Sequence, residues 1–240
     1  LGSTAVSAND FNEEGGWRLS AYLWGMSLDG TVGIGPVEQD IDLSFSDLLS
    51  ALDIGGALVG RYDRGAHTFV VDFQYYSLKP DSVALPGPLG GVVSSELQLP
   101  VINAFYGHKY RVGNGYAGPN IGFRYMHTDL TLNLDLRPEA LPMIRRSDSP
   151  DFTDFTFGGF LMQPLGEKWE FVLQGDVGVG GSEGTYQAQL MFRYITASDN
   201  RWNFGARIMG VDFDDRLPSG ELFAMDTTMA GLTVGYTWGL

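Results

Sequence analysis

The sequence contains no cysteine, and this absence removes several kinds of site at once. Without thiols the chain has no disulfide framework, no thiolate ligand for a metal and no cysteine nucleophile. Basic residues are also scarce, with 15 Lys and Arg against 29 Asp and Glu, which gives a formal net charge of −14. A nucleic-acid-binding surface needs clustered positive charge, so this composition argues against DNA or RNA as a partner.

Long apolar runs are missing as well. A membrane-spanning helix needs about 20 consecutive apolar residues, and the most apolar stretches of this chain are broken by charged residues, Gly or Pro. The chain does not start with a basic segment followed by an apolar one, so we identify no signal peptide and expect a mature chain. A closed β-barrel stays possible, because it satisfies its backbone hydrogen bonds between strands and needs no such helix.

Glycine and aromatic residues are abundant, with 33 Gly in 240 residues and 13% Phe, Trp and Tyr. The stretch from Ile54 to Leu78 shows how the aromatic residues are arranged. It reads as two strands joined by a tight turn at 63–65. In the second strand the polar residues Asp72 and Gln74 lie on one face, and the other face carries Phe69, Val71, Phe73 and Tyr75. Strict alternation of this kind indicates a β-strand with one apolar face.

The same alternation recurs along the chain and predicts about ten strands, with eight or twelve as alternatives. They cover 17–26, two strands within 54–78, 96–112, 116–136, 151–165, 169–180, 185–197, 202–213 and 225–238. Tight turns alternate with the long connections 28–53, 79–95, 137–150 and 214–224, which is typical of outer-membrane barrels. We therefore predict an all-β fold: a single closed antiparallel up-and-down transmembrane barrel over residues 17–240, after a flexible N-terminal segment 1–16. One short helix, Ser44–Leu52, is expected in the first long connection, with Ser44 or Ser46 as its N-cap.

The two faces of the predicted strands separate into an apolar set and a polar set. We expect the polar set to line the lumen: Arg18, Arg61, Asp72, Gln74, Arg124, Glu170, Asp176, Arg193 and Arg207. Aromatic residues gather at strand ends, as membrane-interface girdles require: Trp17, Tyr75, Trp169, Trp202, Tyr236 and Trp238. The lumen charges form either a closed ion-pair network or the lining of a narrow polar path, and the sequence leaves both open.

The last ten residues, Gly231–Leu240, alternate apolar residues after a glycine and carry Tyr236 and Trp238 near the end. This segment resembles the closing strand of bacterial outer-membrane β-barrel proteins, although Leu240 stands where that pattern has a terminal aromatic residue. The resemblance implies a location in the bacterial outer membrane. It also implies contact with membrane lipid and lipopolysaccharide, and recognition of the last strand by the barrel-insertion machinery.

Three functions follow as hypotheses. The first is a non-enzymatic barrel, either structural or passing small polar solutes through a narrow charged lumen. The second is a hydrolase acting on lipid A or peptide at the barrel rim, for which His127 and Asp129 are the candidate catalytic residues. The third is an adhesin-like barrel that binds a surface ligand through its long connections, or a protein partner through Ser44–Leu52. The acidic groups in the connections do not match the spacing of an EF-hand loop, and we expect no cofactor and no metal site.

Overall fold

A computed structural model describes residues 11, 13–34, 37–79, 83–85, 91–136, 144–216, 220 and 222–240. These residues form one short helix, α1 (Phe45–Ala51), and fifteen β-strands. The strands are β1 (Gly16–Ile34), β2 (Val37–Leu43), β3 (Leu52–Arg64), β4 (His67–Leu78), β5 (Val83–Leu85), β6 (Gly91–His108), β7 (Tyr110–Val112), β8 (Gly115–His127), β9 (Asp129–Leu136), β10 (Ile144–Asp148), β11 (Asp151–Pro164), β12 (Trp169–Val179), β13 (Gly184–Ile195), β14 (Arg201–Arg216) and β15 (Leu222–Gly239).

Ten of these strands close into a barrel. Their order around the wall is β6-β4-β3-β1-β15-β14-β13-β12-β11-β8, and β8 pairs with β6 to complete the ring. Every neighbouring pair is antiparallel and follows chain order, apart from the closing pair of the first and last strands. The structure therefore confirms the predicted single up-and-down barrel and its ten strands. No edge strand is left in the ring, so most of its backbone groups are satisfied between strands.

All four predicted long connections contain additional pairing; in the last of them, residues 214–216 of β14 pair with 222–224 of β15. Strand β1 continues to Ile34 and pairs with β2, while β6 begins at Gly91 and pairs with β5 and β9. Strand β10 pairs in turn with β9. Predicting these segments as loops was wrong, because their acidic residues and glycines were taken as breaks. Ladder pairing uses backbone groups, which acidic side chains do not remove.

The two ends of the barrel differ in their connections. At one end, called the turn end, the strands are joined by residues 65–66, 113–114, 165–168 and 196–200. Gly65 and Gly113 adopt positive φ angles of 52° and 61° in two of these turns, a conformation that costs glycine little. The first residues of β1 and the last residue of the chain lie at the same end, where Leu240 N donates to Trp17 O at 3.1 Å. The opposite end, with the longer connections, is called the loop end.

The helix α1 lies at the loop end and begins as the sequence predicts. Ser44 is its N-cap, since Ser44 Oγ accepts from Asp47 N at 3.3 Å, and Asp47 Oδ2 accepts from Ser44 N at 3.0 Å. This reciprocal pair is a capping box with aspartate in the third position. The hydrogen bonds from Ser44 also lower the pKa of the Asp47 carboxyl below its ordinary value. The helix thus has a defined start although it is only seven residues long.

The outer surface of the barrel is apolar. Large hydrophobic side chains point away from the interior on every barrel strand, and some are more than half exposed, such as Leu23 at 57% and Phe123 at 58%. Within the described residues, no helix combines the length and apolar character needed to cross a membrane. An exposed apolar belt of this extent is far larger than the patches that water-soluble monomers tolerate. The exterior is therefore of the kind that faces lipid, as the alternation predicts.

The backbones of β1 and β15 approach each other closely, which explains why residue 231 is a glycine. Gly231 lies opposite Met26, and a Cβ atom on Gly231 would stand 1.9 Å from the carbonyl oxygen of Gly25. The obstacle is backbone, which has little freedom to move within a paired ladder. Gly60, by contrast, has no atom within 4 Å of the position that its Cβ would take.

Substitution of Gly231 and of Gly60 tests how closely β1 and β15 pack where the barrel closes. We expect Gly231→Ala to lower the free energy of unfolding by about 1–3 kcal/mol, because the added methyl group forces β1 and β15 apart. Gly60→Ala introduces the same atom into open space and should leave stability unchanged or slightly raised. Urea unfolding of the detergent-refolded protein, followed by tryptophan fluorescence, measures both. Equal stability of the two variants would contradict the close packing of β1 and β15.

Candidate functional site in the barrel interior

The interior of the barrel is divided along its axis. Near the loop end it is filled by buried apolar side chains, and Phe152 and Phe213 stack there with ring centroids 4.9 Å apart. We call this group the apolar cluster; it consists of Trp24, Met26, Leu28, Leu48, Tyr76, Leu78, Leu99, Val101, Met126, Phe152, Met209, Val211, Phe213, Phe223, Met225 and Met229. Leu48 comes from α1, so the helix contributes to the filling. Towards the turn end, the inward positions of the same strands become polar and charged.

The sequence analysis missed the apolar cluster, since it assigned a polar lining to the whole lumen. The signal was present in the alternation: Trp24, Met26 and Leu28 continue the inward phase of Arg18 along β1. On β14, Met209, Val211 and Phe213 continue the phase of Arg207 in the same way. The prediction failed because only the polar residues of the inward phase were assigned to the lumen, and the apolar residues that continue this phase were left out.

The middle of the lumen is held by a network around Arg124, whose side chain has no exposed surface. Its guanidinium donates to Asn103 Oδ1 at 2.9 Å and to Thr185 Oγ1 at 2.7 Å, and it pairs with Asp176. These partners come from β6, β13 and β12, so one side chain links three strands across the bore. A buried charge needs such partners, because leaving water without compensation is costly.

Asp154 is a second buried charged residue that links neighbouring segments by hydrogen bonds, in this case at the loop end. Its two carboxylate oxygens accept from the backbone amides of Gly181 and Ser182 at 3.0 and 2.9 Å. They also accept from the hydroxyls of Ser182 at 2.6 Å and Thr185 at 2.8 Å. The short connection between β12 and β13 is thereby folded over the barrel wall. Asp154 is fully buried, and these hydrogen bonds have a structural role.

A second network lies level with Tyr22. Arg207 Nη1 donates to the Tyr22 hydroxyl at 2.7 Å, and that hydroxyl donates to Asp72 at 3.0 Å. Arg207 also lies 3.4 Å from Asp72 and donates to Gln187 at 2.7 Å. Its guanidinium stands 4.8 Å from the centroid of the Trp24 ring. Arg207 therefore marks the boundary between the charged interior and the apolar cluster.

At the turn end, the carboxylate of Asp63 binds three cationic side chains. Asp63 accepts from Lys109 Nζ at 3.0 Å and from Arg18 Nη1 at 3.1 Å, and Arg61 Nη2 donates to it at 2.9 Å. The sequence analysis placed Asp63 in a turn, because its neighbours read as one. Its role depends on strand register: β3 continues to Arg64, which directs the Asp63 side chain inward.

The predicted flexible N-terminal segment contacts this end of the barrel. The Phe11 ring packs edge-on against Tyr116 with ring centroids 5.9 Å apart. The cations of Lys109 and Arg111 stand 5.1 and 4.2 Å from its centroid. Such cation–π contacts favour burial of an aromatic ring beside charge. Phe11 thus narrows the turn end of the lumen.

A cavity of about 120 Å³ lies between the network around Tyr22 and the turn end. Five arginines and one carboxylate face it, together with neutral donors and acceptors such as Gln189 and Asn203; the charged residues are Arg18, Arg61, Arg193, Arg201, Arg207 and Asp72. Cavities of this size hold several water molecules. This cavity is the candidate functional site.

The structure places the predicted residues as follows. The nine predicted lumen residues all lie on the inner side of the wall, five of them at the cavity and the others in the networks beside it. Of the six predicted interface aromatics, five lie at the turn end, in clusters such as Trp202 with Tyr236, whose ring centroids are 4.8 Å apart. Tyr75 lies toward the loop end of β4 and donates to Gln98 at 3.2 Å.

The rim residues proposed for hydrolysis, His127 and Asp129, lie close together, and Ser149 contacts the same carboxylate. His127 Nε2 lies 3.2 Å from Asp129 Oδ2, and the Ser149 hydroxyl donates to the other oxygen of Asp129. An activated serine needs the imidazole between the hydroxyl and the acid, whereas here the carboxylate lies between them. Across the residues that the structure describes, no group of three His, Asp or Glu side chains is placed to hold a metal ion.

Comparisons with known proteins identify only loosely similar barrels. No protein-family model and no curated protein matches the chain. Similar solved structures include the translocator domain of the autotransporter NalP from Neisseria meningitidis, at 16% identity and a TM-score of 0.45, covering 92% of this chain and 88% of that one. A FadL homologue from Pseudomonas aeruginosa matches at 10% identity and a TM-score of 0.31, covering 93% of this chain and 89% of the other. The toluene transporter TodX from Pseudomonas putida matches at 8% and 0.29, covering 94% and 90%.

The Arg124 network yields a stability prediction. Arg124→Leu should lower the free energy of unfolding by about 3–5 kcal/mol, because it leaves the buried carboxylate of Asp176 without its cation. In the double variant Arg124→Leu/Asp176→Leu no charge is left unpaired, so the loss should be smaller than in Arg124→Leu alone. Urea unfolding in detergent measures each step, with the exposed Arg216→Leu as the control for charge loss. Strictly additive losses would contradict the coupling of the pair.

Proposed function

We propose that this chain is an integral barrel of the bacterial outer membrane whose lumen is closed, with the turn end on the periplasmic side. An even number of antiparallel strands, short turns at one end and an apolar exterior are the features of bacterial single-chain outer-membrane barrels. The aromatic clusters at the turn end fit the membrane–water interface, where amphipathic rings are favoured. In this position the exterior contacts lipid, and the loop end faces lipopolysaccharide. The last strand, β15, pairs with both β14 and β1, as a segment read by the insertion machinery must.

The apolar cluster is the observation that carries the closed state. A polar solute crossing the loop-end half would have to leave water and pass between buried side chains such as Phe152, Phe213 and Met209. Removing polar groups from water without replacement hydrogen bonds costs several kcal/mol per group. The charged residues below the cluster are tied into networks, which supports a structural role over a steady pore.

A gap in the wall favours a second candidate, namely passage of small solutes when α1 moves. Strand β3 pairs with β1 only as far as Ala57 opposite Tyr22. Beyond that point α1 packs beside β1, with Leu48 buried in the apolar cluster and Phe45 about half exposed. A seven-residue helix gains little stability on its own, so its position depends on these contacts. Its withdrawal would open the cluster on one side, and the same exposed face would suit a protein partner.

Electrical recording tests the closed state. In planar bilayers the purified protein should show no steady ionic conductance, because the apolar cluster excludes hydrated ions. Phe152→Ala/Phe213→Ala removes the stacked ring pair and should produce measurable openings. The matched control is Phe192→Ala/Phe204→Ala, which removes a cross-strand pair of lipid-facing rings and should stay silent. A steady conductance of the unaltered protein would overturn the closed-barrel proposal.

A further inference from the structure

The cavity between Tyr22 and the turn end carries an excess of positive charge. Its lining has five guanidinium groups and a single carboxylate, although the chain as a whole has a net charge of −14. That carboxylate, Asp72, already accepts from Tyr22 at 3.0 Å and from Gln74 at 2.9 Å, and it lies 3.4 Å from Arg207. It is therefore committed to Arg207 and does not neutralise the arginines nearer the turn end.

Arg193 and Arg201 are two cavity arginines whose bonding is incomplete; Arg61 Nε also lacks hydrogen-bond geometry, but it lies 2.7 Å from Asp63 Oδ2. Within the described part of the chain, the Nε atoms of Arg193 and Arg201 are buried and lack a hydrogen-bond acceptor. Arg201 is 3% exposed, and its Nε lies 3.3 Å from Glu170 Oε2, without hydrogen-bond geometry. Arg193 stands directly opposite Glu170 in the ladder of β12 and β13. Glu170 thus lies beside Arg201 and opposite Arg193, and among the described residues its buried Oε1 also has no hydrogen-bond partner.

Arg61 adds a third guanidinium to this side of the cavity. Arg61, Arg193 and Arg201 all face the cavity, and Arg61 is paired with Asp63 at 2.7 Å. Like charges held together in a site of low polarity destabilise it unless an opposite charge is present. A guanidinium group can donate two parallel hydrogen bonds to two oxygens of a carboxylate or a phosphate, so the group that would best complete this arrangement is an oxyanion.

We propose that the cavity binds a small oxyanion, a phosphate or a carboxylate, between Arg193 and Arg201. The two unused Nε–H groups donate to its oxygens, and the amide of Asn203 and the side chain of Gln189 face the same space. A volume of about 120 Å³ admits an ion of this size. The apolar cluster closes the loop end, so the anion enters from the turn end, past Phe11 and Tyr116.

Calorimetric titration of the full chain in detergent tests the proposal, with sodium phosphate as the probe and sodium chloride at equal ionic strength as the reference. Phosphate should bind saturably where chloride does not. Arg193→Gln should raise the phosphate Kd about tenfold or more, because it removes a charge-assisted donor. Arg216→Gln is the matched control: it removes the same charge from an exposed position at the end of β14 and should leave the Kd unchanged.

Glu170→Gln provides a test in the opposite direction. It removes the carboxylate that competes for both guanidinium groups, so phosphate should bind more tightly, an outcome that a damaged barrel does not mimic. Heat-dependent migration in gels confirms folding of each variant; where Arg193→Gln does not fold, Glu170→Gln alone decides. Equal heats for phosphate and chloride, or a Kd unmoved by these substitutions, would overturn the proposal. The titration needs no bilayer, so its result is independent of whether the barrel conducts ions.

Discussion

The need to pair every backbone amide and carbonyl in lipid governs this structure. A ring of ten antiparallel strands meets most of that need, because each strand pairs with a strand on both sides, although the β1–β3 ladder stops at Tyr22 and Ala57. The same ring forces successive side chains to opposite surfaces. One surface is lipid-facing and apolar, and the other encloses a space only a few side chains wide. All other features of the molecule depend on how that narrow space is filled.

The chain fills it in two ways. Near the loop end, apolar side chains pack against one another as in the core of a water-soluble protein, and α1 adds Leu48 where the β1–β3 ladder stops. Towards the turn end, charged side chains fill the lumen. Arg124, Arg207 and Asp63 each join several strands through hydrogen bonds across the bore. An apolar filling excludes ions, and a charged one tolerates only compensated groups. Together they support the proposal that the lumen is closed, with a polar cavity on the side of the short turns.

The cavity is where compensation is incomplete. Elsewhere in the described lumen each buried carboxylate has its donors, as Asp154 and Asp176 show. Around Glu170, two guanidinium groups share one carboxylate and leave buried Nε atoms without acceptors. Because an unpaired donor on a buried charged group is costly, an anionic ligand that accepts from these Nε–H groups gains free energy on binding. A bound oxyanion would thus compensate these guanidinium groups, as carboxylates compensate cations elsewhere in the lumen.

The sequence by itself determined the class of fold, because period-2 alternation and turn residues are local signals. From them follow the ten strands, the lipid-facing residues such as Phe69 and Phe123, the helix at Ser44 and the inward set from Arg18 to Arg207. Tertiary structure alone decided what lies at the same height in the bore. That Met26, Met126 and Met209 meet in one cluster, and that Arg193 and Arg201 share Glu170, depends on register between strands distant in sequence. Alternation specifies the side of the wall, and only the closed ladder specifies the neighbour across it.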